Sequence, residues 1–229
     1  MLFVFGSLNN DLVMNAPVLP KKGQTVTNAE FHQVYGGKGA NQALAGRLSQ
    51  KEVRVAFAGA VGTDNVGQVY SQYLASHGIF TFIQQHEGPT GTAVVIVGEG
   101  DNQIVVAPGA NLKAKALADP MIDTLLALGD ATVLMQMEVP LAENIALIER
   151  AGAKAHAVAI ALDRQEKATE GGRDVDHSAV QYVSRVLGLN VCCIARLDDL
   201  LQYLSDHSAH GVGEHHARVL AYRERYGVF

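Results

Sequence analysis

Short apolar, β-branched runs alternate with longer segments of helical spacing along most of this chain, and that alternation restricts the fold more than any other feature. It predicts an α/β protein with a mostly parallel, Rossmann-like sheet flanked by helices. Residues 2–5 form a first strand that ends at Gly6. Residues 39–49 are small apolar residues and helix formers that follow a glycine-rich turn. A strand is expected over 53–58, a helix over 65–77 and another strand over 131–135. The next helix carries Pro140, which a first turn tolerates. Residues 157–162 and 191–195 are further buried-strand candidates, and 196–204 and 215–226 are expected to be helical.

Two stretches break the rhythm. Residues 92–97 and 103–106 flank a GEGDN turn and predict an antiparallel hairpin, while 11–35 is extended and proline-bearing. Together they predict a small antiparallel β lid. Residues 167–176 are polar and glycine-bearing and are expected to be a mobile loop. With 229 residues, 48% of them hydrophobic and 18% charged, the chain can build a core and does not have the composition of a disordered protein. A net charge of −5 gives no general attraction for nucleic acid or an anionic membrane. No apolar run approaches the roughly 18 residues of a membrane span, and the opening MLFVFG reads as a strand rather than a signal peptide. The two cysteines, Cys192 and Cys193, are adjacent in an apolar run. They are expected to be core residues of a cytoplasmic protein.

Three places carry candidate chemistry. Gly36-Gly37-Lys38-Gly39-Ala40-Asn41 opens a helix, where free N–H groups, Lys38 and Asn41 suit hydroxyls or an anion. A purely structural strand-to-helix turn explains the same residues, so both readings stand. Asn9 and Asp11 follow the first strand, and Glu138 follows the strand ending at Met135. Such strand ends are where open α/β sheets bind ligands, and these three side chains would suit a polyhydroxylated molecule. His207, His210, His215 and His216 gather near the end without a completing cysteine or carboxylate, so no metal site is assigned.

The motifs GSLNND (6–11), PKKGQTV (20–26), YGGKGANQA (35–43), GAVGTDNVG (59–67), TGTA (90–93), PGAN (108–111) and LMQMEVP (134–140) resemble, in order and spacing, the ribokinase-like (phosphofructokinase-B type) carbohydrate kinases. The resemblance covers about residues 2–155. It implies that Asn9, Asp11, Gly37, Lys38, Asn41 and Glu138 bind ribose or a similar sugar. It also implies that 11–36 and 88–109 make a lid that can form a homodimer contact, and that Mg-ATP is the phosphate donor. The family's later DTxGAGD motif, with its catalytic aspartate and anion-holding amides, does not occur in this sequence. Its other nucleotide and Mg²⁺ elements are not found here either, so no catalytic residue is assigned. Phosphoryl transfer rests on such positioned groups, and the expectation is a sugar half-site deficient in transfer.

From about residue 150 onward, ALDRQE (161–166), SAVQ (178–181), NVCCIA (190–195), LDDLLQYL (197–204) and AYRERYGV (221–228) resemble the C-terminus of bacterial orotate phosphoribosyltransferase. That resemblance implies an orotate contact at Arg164. The enzyme's diphosphate-binding loop has no counterpart in the sequence. The chain therefore reads as a sugar-binding segment with its lid, 1–155, fused to a segment, 156–229, that continues the same sheet. The alternatives are a non-catalytic dimerisation or sugar-sensing module, a phosphoribosyltransferase-related remnant, and a gene-fusion remnant without selected activity.

Overall fold

The computed structural model describes residues 1–49, 52–127, 130–207 and 213–228. The chain divides into two compact units, Met1–Ala153 and Lys154–Phe229. Along the first unit run β1 (Leu2–Phe5), β2 (Asn9–Asn15), β3 (Glu30–Gly36), α1 (Lys38–Ser49), β4 (Val55–Gly62), α2 (Asn65–Ser76) and β5 (Phe80–His86). After these come β6 (Gly91–Gly98), β7 (Asp101–Ala107), a 3₁₀ turn at Gly109–Lys113, α3 (Asp119–Leu126), β8 (Thr132–Met135) and α4 (Leu141–Arg150).

Four strands form a parallel sheet in the order β5-β4-β1-β8. Alternation along the central strands sends side chains into two cores. Phe3, Phe5, Ala56, Ala58 and Ala60 pack on one face with Leu117, Ile122 and Leu147. On the other face Val4, Val55, Phe57 and Val61 meet Ala40 and Ala43 of α1 and Tyr70 and Leu74 of α2. Burial on both faces explains why β4 reads as a continuous apolar run, and why it extends through Gly62 beyond the expected 53–58. The sequence reading missed β5: its strand FTFIQQH is only partly buried, so its apolar signal is diluted.

The lid is a second four-stranded sheet, in the order β3-β2-β6-β7. The hairpin β6–β7 turns at Glu99 and Gly100, both at positive φ, which suits the right-handed twist of the flanking strands. β2 pairs antiparallel with β3 and parallel with β6, in a register that sets Asn9 beside Gly91.

In the second unit lie β9 (Ala157–Asp163), β10 (Thr169–Glu170), β11 (Arg173–Asp174), α5 (Ala179–Arg185), β12 (Asn190–Arg196), α6 (Leu197–Asp206) and α7 (Gly213–Tyr226). β9 and β12 pair in parallel as a two-stranded sheet. Two expectations are corrected here. The segment 167–176 contains a small hairpin, β10–β11, because Gly171 and Gly172 both take the positive φ that a tight two-residue turn requires. β9 and β12 are half-buried, alternating strands instead of buried ones: Ile194 is 88% exposed and Cys192 is also exposed, which removes Cys192 from the core. Among the described residues no helix is long and apolar enough to cross a membrane.

Candidate active site

The ends of β1 and β8 and the start of α1 meet around one buried hydroxyl. Ser7, just past β1, donates from Oγ to Glu138 Oε2 at 2.6 Å and accepts the Gly39 N–H at 3.3 Å. Its carbonyl accepts the Ala40 N–H at 2.9 Å. Glu138 also accepts the Lys38 N–H at 3.2 Å and lies 3.2 Å from Lys38 Nζ. A carboxylate thus sits against the first amides of α1, where the helix dipole favours negative charge. Gly37, with φ +88°, packs on the backbone of Leu8 and Asn9, where an added Cβ would come within 2.7 Å of Asn9 N. Only glycine satisfies both demands.

Asp11 and Glu138 are two acids in opposite situations. Burial, then repulsion from Glu138, pushes Asp11 above the ordinary aspartate range. Its Oδ1 is buried with no hydrogen-bond partner among the described residues, and its carboxylate fills the space left by the missing side chain of Gly36. Burial raises Glu138 too. There the Ser7 hydroxyl and the Lys38 N–H and ammonium outweigh it and hold the carboxyl below its usual range. One acid is satisfied by the protein and the other keeps unused acceptor capacity, as a hydroxyl-binding group would.

Several supporting residues escaped the sequence reading as individuals, although most lie inside motifs it marked. Asn111 is 1% exposed, and its amide bonds both backbone groups of Leu8 and the side chain of Asn9. Tyr70 donates to the Gly36 carbonyl at 2.6 Å and stacks on Tyr35. Asp64 caps α2 through Gly67 N–H at 3.0 Å and accepts both the N–H (2.8 Å) and the hydroxyl (2.6 Å) of Thr90 at the root of β6. Burial raises the Asp64 carboxyl, but these Thr90 and Gly67 donors bring it below its usual range. Only a fold that brings distant segments together reveals Ser7, Asp64, Tyr70 and Asn111 as partners.

Of the residues singled out from sequence, the fold brings Asn9, Asp11, Gly37, Lys38 and Glu138 together. Asn41 is exposed one turn into α1, and its side chain makes no hydrogen bond among the described residues. Arg164 belongs to the second unit, where it pairs with Glu166 at 3.1 Å. Beside the lid root an open cleft of about 300 Å³ is lined by Asn9, Val106, Asn111, Met137 and Glu138, among others. Asp11, Gly37 and Lys38 do not line it. His210 lies outside the described residues. Among the described residues no group of three or more His, Cys, Asp or Glu side chains stands close enough to hold a metal ion.

The pattern of the pfkB family carbohydrate kinases matches residues 1–175, past the expected limit of 155. The chain is 38% identical over 144 residues to ribokinase of Haemophilus influenzae, covering 61% of this chain and 46% of that protein. It is 52% identical over 141 residues to orotate phosphoribosyltransferase of Polaromonas naphthalenivorans, covering 57% of this chain and 53% of the relative. Among solved structures, ribokinase from Giardia lamblia superposes with a TM-score of 0.58 at 35% identity, over 66% of this chain and 49% of that one. The chain spans about half the length of these curated relatives.

Proposed function

This chain belongs to the pfkB family of carbohydrate kinases, and on that premise we propose that Met1–Ala153 holds a half-site for ribose or a similar sugar and that the chain alone is deficient in phosphoryl transfer. The observation that carries the sugar reading is the buried Asp11 oxygen without a partner, next to a glycine-lined helix start and the Lys38–Glu138 pair. Asp11 accepts from sugar hydroxyls in this reading, Asn9, Lys38 and Asn41 donate to them, the Gly37 backbone lies against the sugar, and Glu138 orders Lys38 and Ser7. The deficiency follows from chemistry. The sugar hydroxyl needs a base, and the developing phosphate charge needs positioned donors. No GAGD sequence is present in this chain to supply them.

The apolar outer strand of the lid supports a homodimer through that sheet, because Ile104, Val105 and Val106 are all exposed on β7. A sugar-responsive dimer without turnover would be the non-catalytic form of the same function. Calorimetric titration with ribose, with and without a non-hydrolysable ATP analogue, tests the reading. Ribose binding that Asp11→Ala abolishes, with no response to nucleotide, is the expected result. Ribose phosphorylation at about 1 s⁻¹ or faster would overturn the deficiency.

A second reading has one observation in its favour, the 52% identity to an orotate phosphoribosyltransferase. In it Arg164 exchanges Glu166 for the carboxylate of orotate. Orotate binding lost in Arg164→Ala would establish it, and no orotate binding by the parent chain would end it.

A further inference from the structure

We propose that Asn111 is a positioning residue: it fixes the polarity of Asn9 so that Asn9 faces its ligand as a hydrogen-bond donor. The polarity follows from backbone groups, whose donor and acceptor roles are fixed. The Leu8 N–H can only donate, and it donates to Asn111 Oδ1 at 3.0 Å. Asn111 must then turn its Nδ2 the other way, where it donates to the Leu8 carbonyl at 2.9 Å and to Asn9 at 2.8 Å. The atom of Asn9 that receives this bond must be an acceptor, so it is Oδ1. Asn111 has thereby used two donors and one acceptor, all inside the protein.

What remains of Asn9 is Nδ2. Among the described residues it has no protein acceptor, and although Asn9 is 6% exposed, Nδ2 does not number among the buried atoms lacking a partner. It is the polar atom that Asn9 leaves open to solvent, and Asn9 and Asn111 both line the cleft beside Glu138. Gly91 completes the device. It stands next to Asn9 in the β2–β6 ladder, and an added Cβ there would overlap both Asn111 Nδ2 and Asn9 Oδ1. The lock therefore joins three segments far apart in sequence at the root of the lid. It divides labour across the site, with donors at Asn9 and unused acceptor capacity at Asp11. At Asn9 a ligand is accepted when it offers an oxygen acceptor to Nδ2. The consequence for ribose rests on the sugar reading above, but the polarity of Asn9 does not.

Side-chain amide NMR of the full chain without ligand tests the polarity. The Asn111 Nδ2 protons are expected to exchange slowly with water, and those of Asn9 quickly. In Asn111→Asp, which has the same shape, the new carboxylate repels Asn9 Oδ1. The Asn9 amide then turns over, and one of its protons moves downfield and becomes protected. Protected Asn9 protons in the parent chain overturn the proposal whether or not the variant folds, and so does an Asn9 amide that ignores Asn111→Asp. In a parallel ribose titration, Asn111→Asp is expected to raise Kd at least about tenfold, the scale of one lost hydrogen bond with an acceptor turned toward an acceptor. Ribose binding of parental strength in a variant whose amide has turned over also overturns the proposal. If the parent binds no ribose while the amide pattern holds, the sugar reading fails and the positioning role stands.

Discussion

At the scale of single residues, the site is governed by which polar atoms the protein itself satisfies. Asp11 is unsatisfied and raised, so it takes up a proton at a higher pH than an ordinary aspartate of about 3.9. Ionised Asp11 accepts hydroxyls and protonated Asp11 accepts them poorly. Ribose affinity is therefore expected to fall on acidification, starting above pH 3.9, and calorimetry across pH 4–7 reads it. In Asp11→Asn affinity should be low and flat over that range; a parental slope in the variant would assign the titration to another group. Tyr70 acts through the backbone. Its hydroxyl holds the Gly36 carbonyl, and because the peptide is trans, the Gly37 N–H points the opposite way. Tyr70→Phe removes this hydrogen bond to a buried carbonyl, at a cost of about 0.5–1.5 kcal/mol by urea denaturation. No change in the midpoint would mean that water replaces the hydroxyl.

At the scale of elements, α1 and α2 have different tasks. α1 lies close to β1 because its first residues are small: an added Cβ at Gly39 would come within 2.6 Å of Ser7 N, and Ala40 and Ala43 are buried. Ala43→Leu should overpack this seam by about 1–3 kcal/mol, measured as a lower Tm, and a neutral outcome would show slack between helix and sheet. α2 holds the lid root through its cap. Asp64→Ala removes the bond to Gly67 and both bonds to Thr90. It should cost about 1–2 kcal/mol, the usual scale of a lost N-cap. Faster amide exchange at Thr90 than in the parent is the accompanying sign, and unchanged exchange there would separate the cap from the lid. The depressed Asp64 carboxyl contributes stability above its unfolded pKa, lost as pH falls through the lower folded value.

For the whole molecule, two expectations concern surfaces and boundaries. Val105 on the lid is 71% exposed beside Ile104 and Val106. If these residues join two copies, Val105→Glu should convert a dimer to a monomer in light scattering. A parent chain that is monomeric at all concentrations would remove the lid from any assembly. The sequence predicts that 156–229 continues the sheet of the first segment, and within the second unit β9 and β12 pair in parallel. The buried apolar side chains described in the second unit are Leu197, Leu201, Leu204 and Val228, far fewer than in the first. Limited proteolysis of the full chain is therefore expected to digest residues beyond Ala153 first. Joint protection up to Val228 would support a sheet shared by both segments.

The sequence by itself determined the α/β class, the lid hairpin and the stretch of glycines before α1, because these depend on local periodicity and on residues whose backbone freedom is special. It also marked Asn9, Asp11, Gly37, Lys38 and Glu138, since strand ends and a glycine-rich helix start can be read within a few residues. It could not show that Ser7 and Lys38 occupy Glu138 while Asp11 Oδ1 has no hydrogen-bond partner among the described residues, because those bonds join positions up to 131 residues apart. Nor could it show that Asn111 turns Asn9 outward, or that β9 and β12 are covered on one face only. Burial and pairing are properties of neighbours, and only the tertiary structure decides which neighbours a residue has. From sequence, an apolar strand reads the same whether one face is covered or both, and an aspartate the same whether satisfied or left open for a ligand.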